Sequence, residues 1–185
     1  MNIIDEAIPD SELIRVIEDA KHRDPGFDIN LSDENYYCSS LIRAVQYNRK
    51  ELIEYLLSDP KINVNYKNYY GYTALYLTRD IFILKLLLRH RGIDVNIQNC
   101  SGWTGLHWVC CYYNGIEIMR ELLLDARVNP SIHNYSCKTA RDYAIQKGHH
   151  EIANMLKRTG HTSLLRIPNA LLYRDISRMI IEEYT

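Results

Sequence analysis

Apolar residues along this 185-residue chain come in short runs at helical spacing, and the runs recur. Four stretches, 50–57, 81–89, 116–124 and 149–157, carry leucine, isoleucine or methionine three and four positions apart. That is the pattern of a helix burying one stripe. Leu86-Leu87-Leu88 and Leu122-Leu123-Leu124 are apolar on nearly all sides, which predicts outer helices sandwiched between neighbours, with Leu87 and Leu123 in the core. A shorter apolar segment precedes each stretch and opens on a hydroxyl residue: Ser39, Thr73, Thr104 and Thr139. The hydroxyl can accept from an orphan N–H of the first helical turn. After the helices one phrase recurs: Asp28-Ile29-Asn30, Asn63-Val64-Asn65, Asp94-Val95-Asn96 and Arg127-Val128-Asn129, with asparagines 35, 31 and 33 residues apart. Self-similarity near ~33 residues predicts a helical solenoid.

The units are unequal. The one beginning at Thr73 is three residues short between its helices, where Arg79-Asp80 closes the turn, and the one beginning at Thr104 is one residue long. Gly71 and Gly102 stand two residues before their threonines, but the Ser39 unit lacks that glycine. Gly148 and Asn114-Gly115 supply tight turns between helices. Gly160 is expected to end the last repeat helix as a left-handed cap.

This layout resembles the ankyrin repeat family. The matching segments are Gly71-x-Thr73-Ala74-Leu75, Gly102-x-Thr104-Gly105-Leu106-His107, Asp94-Val95-Asn96 and Lys147-Gly148-His149-x-Glu151-Ile152-Ala153. They recur in register over roughly residues 10–158. The resemblance implies an all-α ankyrin-repeat solenoid of about four repeats plus an N-terminal half-repeat cap and a C-terminal helix. The expected boundaries are 1–30 for the cap, 31–65, 66–96, 97–129 and 130–158 for the repeats, and 159–185 for the tail. In the tail Leu171, Leu172, Ile176, Met179 and Ile180 fall at helical spacing behind Pro168. Such a helix either caps the last repeat or docks on another molecule. The Ile167-Pro168 start resembles an F-box, similar to the tails that end many ankyrin proteins of large DNA viruses, and a SOCS-box-like tail is a related alternative. That resemblance implies a substrate adaptor for a cullin ubiquitin ligase, of the kind that antagonises host signalling.

Composition removes several function classes. A net charge of −1 offers no field to draw in nucleic acid or an anionic membrane. No run of 18 apolar residues exists to span a bilayer. The first six residues are acidic and lack the basic region of a signal peptide. Five cysteines without framework spacing predict free thiols in a reducing compartment, cytoplasm or nucleus. Phosphate-loop, Gly-x-Ser-x-Gly and His-Glu-x-x-His motifs are missing. Cys110-Cys111 point apart on a helix and read as core thiols, not as zinc ligands. His107 fills the histidine slot of the family's T-P-L-H segment, a structural position that bridges turns. The expectation is therefore no enzyme, no cofactor and no metal.

Function should then sit on the extended surface of stacked units. The resemblance implies a concave face lined by turn tips and by the position after the histidine slot. The tips are Tyr69, Tyr70 and Tyr72, then Ser101 and Trp103, then Tyr135 and Lys138; the slots are Arg43, Leu77, Trp108 and Tyr143. Tyrosine and tryptophan dominate, and both are favoured at binding hot spots. Trp103 and Trp108 are expected to be exposed there. The reading is a protein-binding module with a partner protein on this face. Leu88 with Asp94-Val95-Asn96 also resembles the consensus for asparaginyl β-hydroxylation, with Asn96 as acceptor and Asn65 as a poorer site.

Overall fold

The structure, a computed structural model, describes residues 8–34, 36–111 and 115–162, with side chains as far as Lys157. The elements in chain order are α1 (Asp10–Arg23), α2 (Ser40–Gln46), α3 (Lys50–Ser58), α4 (Ala74–Leu77), α5 (Ile81–Arg89), α6 (Gly105–Val109), α7 (Ile116–Leu124), α8 (Ala140–Gln146) and α9 (His150–Thr162). Among the described residues β pairing is confined to two isolated bridges, Ser32 with Ser39 and His133 with Thr139. The helices form two rows. The inner row stacks α2, α4, α6 and α8; the outer row stacks α1, α3, α5, α7 and α9. Each inner helix also packs on the outer helix that follows it.

The hydroxyls start the inner helices as the sequence suggests. Ser39 accepts from Ile42 N, Thr73 from Tyr76 N and Thr139 from Asp142 N, and Thr104 shares a capping box with His107. The outer helices bury one repeating set of positions: Leu52, Ile53 and Leu56; Ile83, Leu84 and Leu87; Ile118, Met119 and Leu122; Ile152, Ala153 and Leu156. Each buried leucine or isoleucine contributes ~1.5–3 kcal/mol of transfer free energy. The register corrects one expectation. Leu122, not Leu123, is the counterpart of Leu87, and Leu123 is only half-buried. Gly160 does not stop the last helix either, since α9 continues to Thr162. Glycine permits a left-handed cap but does not impose one, and inside a helix it costs only ~1 kcal/mol.

Between the rows run turns that bond to their neighbours. Tyr69 N donates to Tyr36 O, Cys100 N to Tyr70 O and Tyr135 N to Ser101 O, at 3.0–3.2 Å. The residue two before each hydroxyl is left-handed throughout: Tyr37, Gly71, Gly102 and Cys137, with φ of 52°, 76°, 77° and 56°. Glycine is needed where the next turn crowds in. A Cβ on Gly102 would lie 2.6 Å from Tyr135 Cδ1, and one on Gly71 would lie 2.8 Å from Cys100 N. Tyr37 accepts the left-handed conformation without a glycine.

A second ladder is made by the recurring asparagines. Asn30 Nδ2 donates to Lys61 O and Asn30 Oδ1 accepts from Asn63 N. Asn65 repeats the pair with Gly92 O and Asp94 N, and Asn96 with Arg127 O and Asn129 N, at 2.7–2.9 Å. Each amide thus closes one repeat onto the next, which explains why the phrase returns with the repeat period.

Candidate protein-binding face

Three more asparagines shape the turn tips. Asn68, Asn99 and Asn134 each stand five residues before the capping threonine and are buried. Their side-chain oxygens accept two backbone N–H groups apiece: Tyr70 and Tyr72, Ser101 and Trp103, Ser136 and Lys138. A buried carbonyl satisfied twice holds the turn rigidly. The residue after each glycine position, Tyr72, Trp103 or Lys138, is thereby presented on the same side as the inner helices.

Rings then meet across every repeat boundary. Tyr36 stacks with Tyr70 at 6.2 Å between centroids. Trp108 approaches Tyr72 at 5.9 Å and Tyr76 at 5.0 Å, and Tyr72 lies nearly parallel to Tyr76 at 4.6 Å. Trp103 reaches Tyr143 at 4.5 Å, with Lys138 Nζ 5.5 Å from the Tyr143 centroid. These separations are those of favourable aromatic pairs. The expectation of exposed tryptophans is corrected: Trp103 and Trp108 are both half-buried, because a ring of the adjoining repeat covers one side of each. The open rings belong to the tips. Tyr69 is 66% exposed and Tyr135 73%, with Tyr36, Tyr37 and Tyr70 also exposed. Ser101 and Lys138 are exposed beside them.

Tyr76 went unnoticed in the sequence. It is buried at the centre of the strip, three residues after Thr73, in the slot that His107 fills one repeat later. Its hydroxyl accepts from Asn99 Nδ2 at 3.2 Å, so phenol replaces imidazole as the bridge to the next turn. The Tyr143 hydroxyl also accepts from an asparagine, Asn134 Nδ2 at 2.9 Å, but this bond lies within one repeat.

His107 is held in one tautomer. Its Nδ1 accepts from Thr104 N at 3.2 Å, so the proton resides on Nε2, which donates to Lys138 O at 3.1 Å. Burial pushes its pKa below the ordinary histidine value, partly offset by the Lys138 carbonyl. Burial likewise pushes the Cys110 thiol up to about 12, leaving it inert. His149 Nδ1 donates to Cys110 O and ties α9 to the preceding repeat. Among the described residues no three His, Cys, Asp or Glu side chains converge as a metal site requires.

Two of the slot residues sit apart from the rings. Arg43 is bound to Asp33 at 2.7 Å and to Gln46 at 3.1 Å, within its own repeat. Leu77 is half-buried and lines a notch of about 610 Å³ together with Arg43, Gln46, Tyr47 and Arg79. The notch follows from the short unit. Helix α4 has 4 residues against 7 in α2, and Asp80 caps α5 directly through Phe82 N and Ile83 N. The adaptor-docking candidates Leu171, Leu172, Ile176, Met179 and Ile180 lie outside the described residues.

A profile described as ankyrin repeats, in three copies, matches residues 78–163. The chain carries ankyrin repeats. Its ankyrin segment is similar to the SMC5-SMC6 complex localization factor protein 1 of Bos taurus and of Homo sapiens, each 33% identical over 113 residues, 60% of this chain. The chain spans only about a tenth of those relatives, 11% of each. It is 29% identical over 137 residues to the putative ankyrin repeat protein FPV031 of fowlpox virus (strain NVSL), covering 71% of this chain and 40% of the viral protein. Human SH3 and multiple ankyrin repeat domains protein 2 matches at 33% over 87 residues, 47% of this chain and 5% of that protein. Ankyrin repeats generally mediate protein–protein interaction and are typically non-enzymatic.

Proposed function

We propose that this chain binds a partner protein through the turn tips and inner helices, along the strip of aromatic rings. The observation that carries the reading is the ring pair at each repeat boundary, Tyr36–Tyr70, Tyr76–Trp108 and Trp103–Tyr143, continued outward by exposed tip tyrosines. Rigid aromatic side chains bury a large area at little cost in conformational entropy. Clustered and half-covered by one another, they resemble a hot spot ready for its partner. Arg43 and Leu77 belong to the periphery of this surface, since the first is bound to Asp33 and the second lines the notch.

The test uses residues whose loss leaves the fold intact. Tyr69→Ala and Tyr70→Ala remove exposed rings and should each weaken a captured partner by ~1–2 kcal/mol or more; both variants stay folded, and loss of the Tyr36–Tyr70 stack lowers the melting of the second slightly. Quantitative affinity capture with the wild-type chain and both variants reads this directly. Equal recovery of every partner by all three proteins rejects the reading.

Hydroxylation of Asn96 is proposed with one added condition. Both ends of its amide are bonded across the boundary, to Arg127 O and from Asn129 N. An oxygenase must therefore capture the turn in an opened form, so oxygen incorporation should rise as the last repeats are destabilised.

A further inference from the structure

The last repeat leaves open a face that the earlier repeats keep covered. Six residues after the capping hydroxyl, Val45 is 6% exposed and Cys110 fully buried, and α2 and α6 each have a further inner helix stacked on them. The equivalent residue of the last repeat, Ile145, is 47% exposed. Two residues after the hydroxyl, Leu41, Leu75 and Leu106 are all buried. The last repeat carries Arg141 in that slot, half-buried, with its Nε shut away from water and bonded to nothing. A buried donor without an acceptor costs free energy. Neighbouring Asp142 does not serve it, since that carboxylate accepts from Thr139 N and Oγ1. The asparagine ladder stops at the same place. Asn129 Oδ1 accepts from Ser131 N inside its own turn. Helix α9 has 13 residues against 9 in α3, α5 and α7, so helix replaces the turn that would lead into a further repeat.

The chain carries a cover of matching chemistry. Residues 163–185, outside the described residues, follow directly on α9. Leu172, Ile176, Met179 and Glu183 are spaced by four, three and four residues. In a helix that spacing is one stripe, so a carboxylate stands on an otherwise apolar line. The last repeat shows the converse, a guanidinium in an apolar slot. Either charge is costly in an apolar contact alone, and each satisfies the other as a charge-assisted pair. The connection is long enough. Residues 163–171 reach about 30 Å when extended, roughly three times the ~8–10 Å between packed helices.

We propose that residues 172–183 fold back as a helix on the open face of α8 and α9, with the stripe over Ile145 and Met155 and Glu183 paired with Arg141. The segment ends the solenoid in place of a further repeat and is not free to dock on another molecule. This stands independently of the aromatic face.

The test follows thermal melting and amide exchange in the full chain. Ile176→Asp should lower the melting temperature by about 3 °C or more and speed exchange in α8 and α9, with α1 to α3 unaffected. Arg141→Glu and Glu183→Arg should each lower it as well, and the double variant carrying both should melt above either single one. Wild-type exchange in α8 and α9 after Ile176→Asp overturns the proposal. So does an additive loss in the double variant, which would separate Arg141 from Glu183. A wild-type melting temperature that falls on dilution would place the segment on a second copy of the chain. Loss of a ubiquitin-ligase adaptor by Ile176→Asp, with melting unchanged, would make it a docking element. Either of these results overturns the fold-back.

Discussion

His107 works only while neutral. Its Nδ1 must accept from Thr104 N, and a proton there would replace an acceptor by a second donor. With the folded pKa depressed, the unfolded chain takes up the proton first. Stability is therefore full above the unfolded value of ~6.5 and declines as pH falls below it towards the folded pKa. Asp142 fills the same slot one repeat on, but titrates in another window. Bonds from Thr139 N and Oγ1 hold its pKa below the usual carboxylate range. Its contribution is present above ~4 and lost in more acid solution. Urea melts from pH 8 to 4 should show the first decline in the wild type and a shallower one in His107→Gln. An identical slope in both proteins would remove His107 as its cause.

At the scale of elements, outer helices and turns make separate predictions. Leu87→Ala and Leu122→Ala should each cost ~2–5 kcal/mol through cavity formation, while half-buried Leu123→Ala should cost clearly less. Denaturant melts of the three variants check the register, and a larger effect at Leu123 would contradict it. The turn glycines differ in kind. Gly148 has φ +76° but nothing within 4 Å of an added Cβ, and Asn48 takes the equivalent place at φ 55°. Gly148→Ala should therefore cost only the ~1–2 kcal/mol of left-handed backbone, and Gly148→Asn less. Gly102→Ala adds a clash with the backbone and ring of Tyr135 and should cost more than Gly148→Ala, measured by the same melts.

Across the whole molecule, stability is carried by contacts between neighbouring repeats. The asparagine ladder is one such coupling. Asn96→Ala removes two bonds across a single boundary and leaves Arg127 O and Asn129 N without those partners. A loss of ~1–3 kcal/mol is expected. It should be concentrated as faster amide exchange in α6 to α9, with α1 to α3 protected as before. Uniform loss of protection along the chain would mean that the solenoid unfolds as one unit.

What the sequence by itself determined was whatever repeats. Period, hydroxyl caps and outer stripes depend on neighbours within one unit, and each unit restates them; the glycine two residues before the threonine stands only in the Thr73 and Thr104 units. Three matters were decided only by tertiary structure. Continuous apolar runs such as Leu122-Leu123-Leu124 do not reveal which leucine faces the core; the packing of α7 on α5 and α9 selects Leu122. The accessibility of Trp103 and Trp108 depends on rings that lie about one repeat away in sequence. The buried asparagines share a spacing to the threonines that was readable. Their double acceptance from turn N–H groups emerges only once the backbone closes around them. Local propensity is written residue by residue, whereas a face assembled from several repeats exists only when the repeats are stacked.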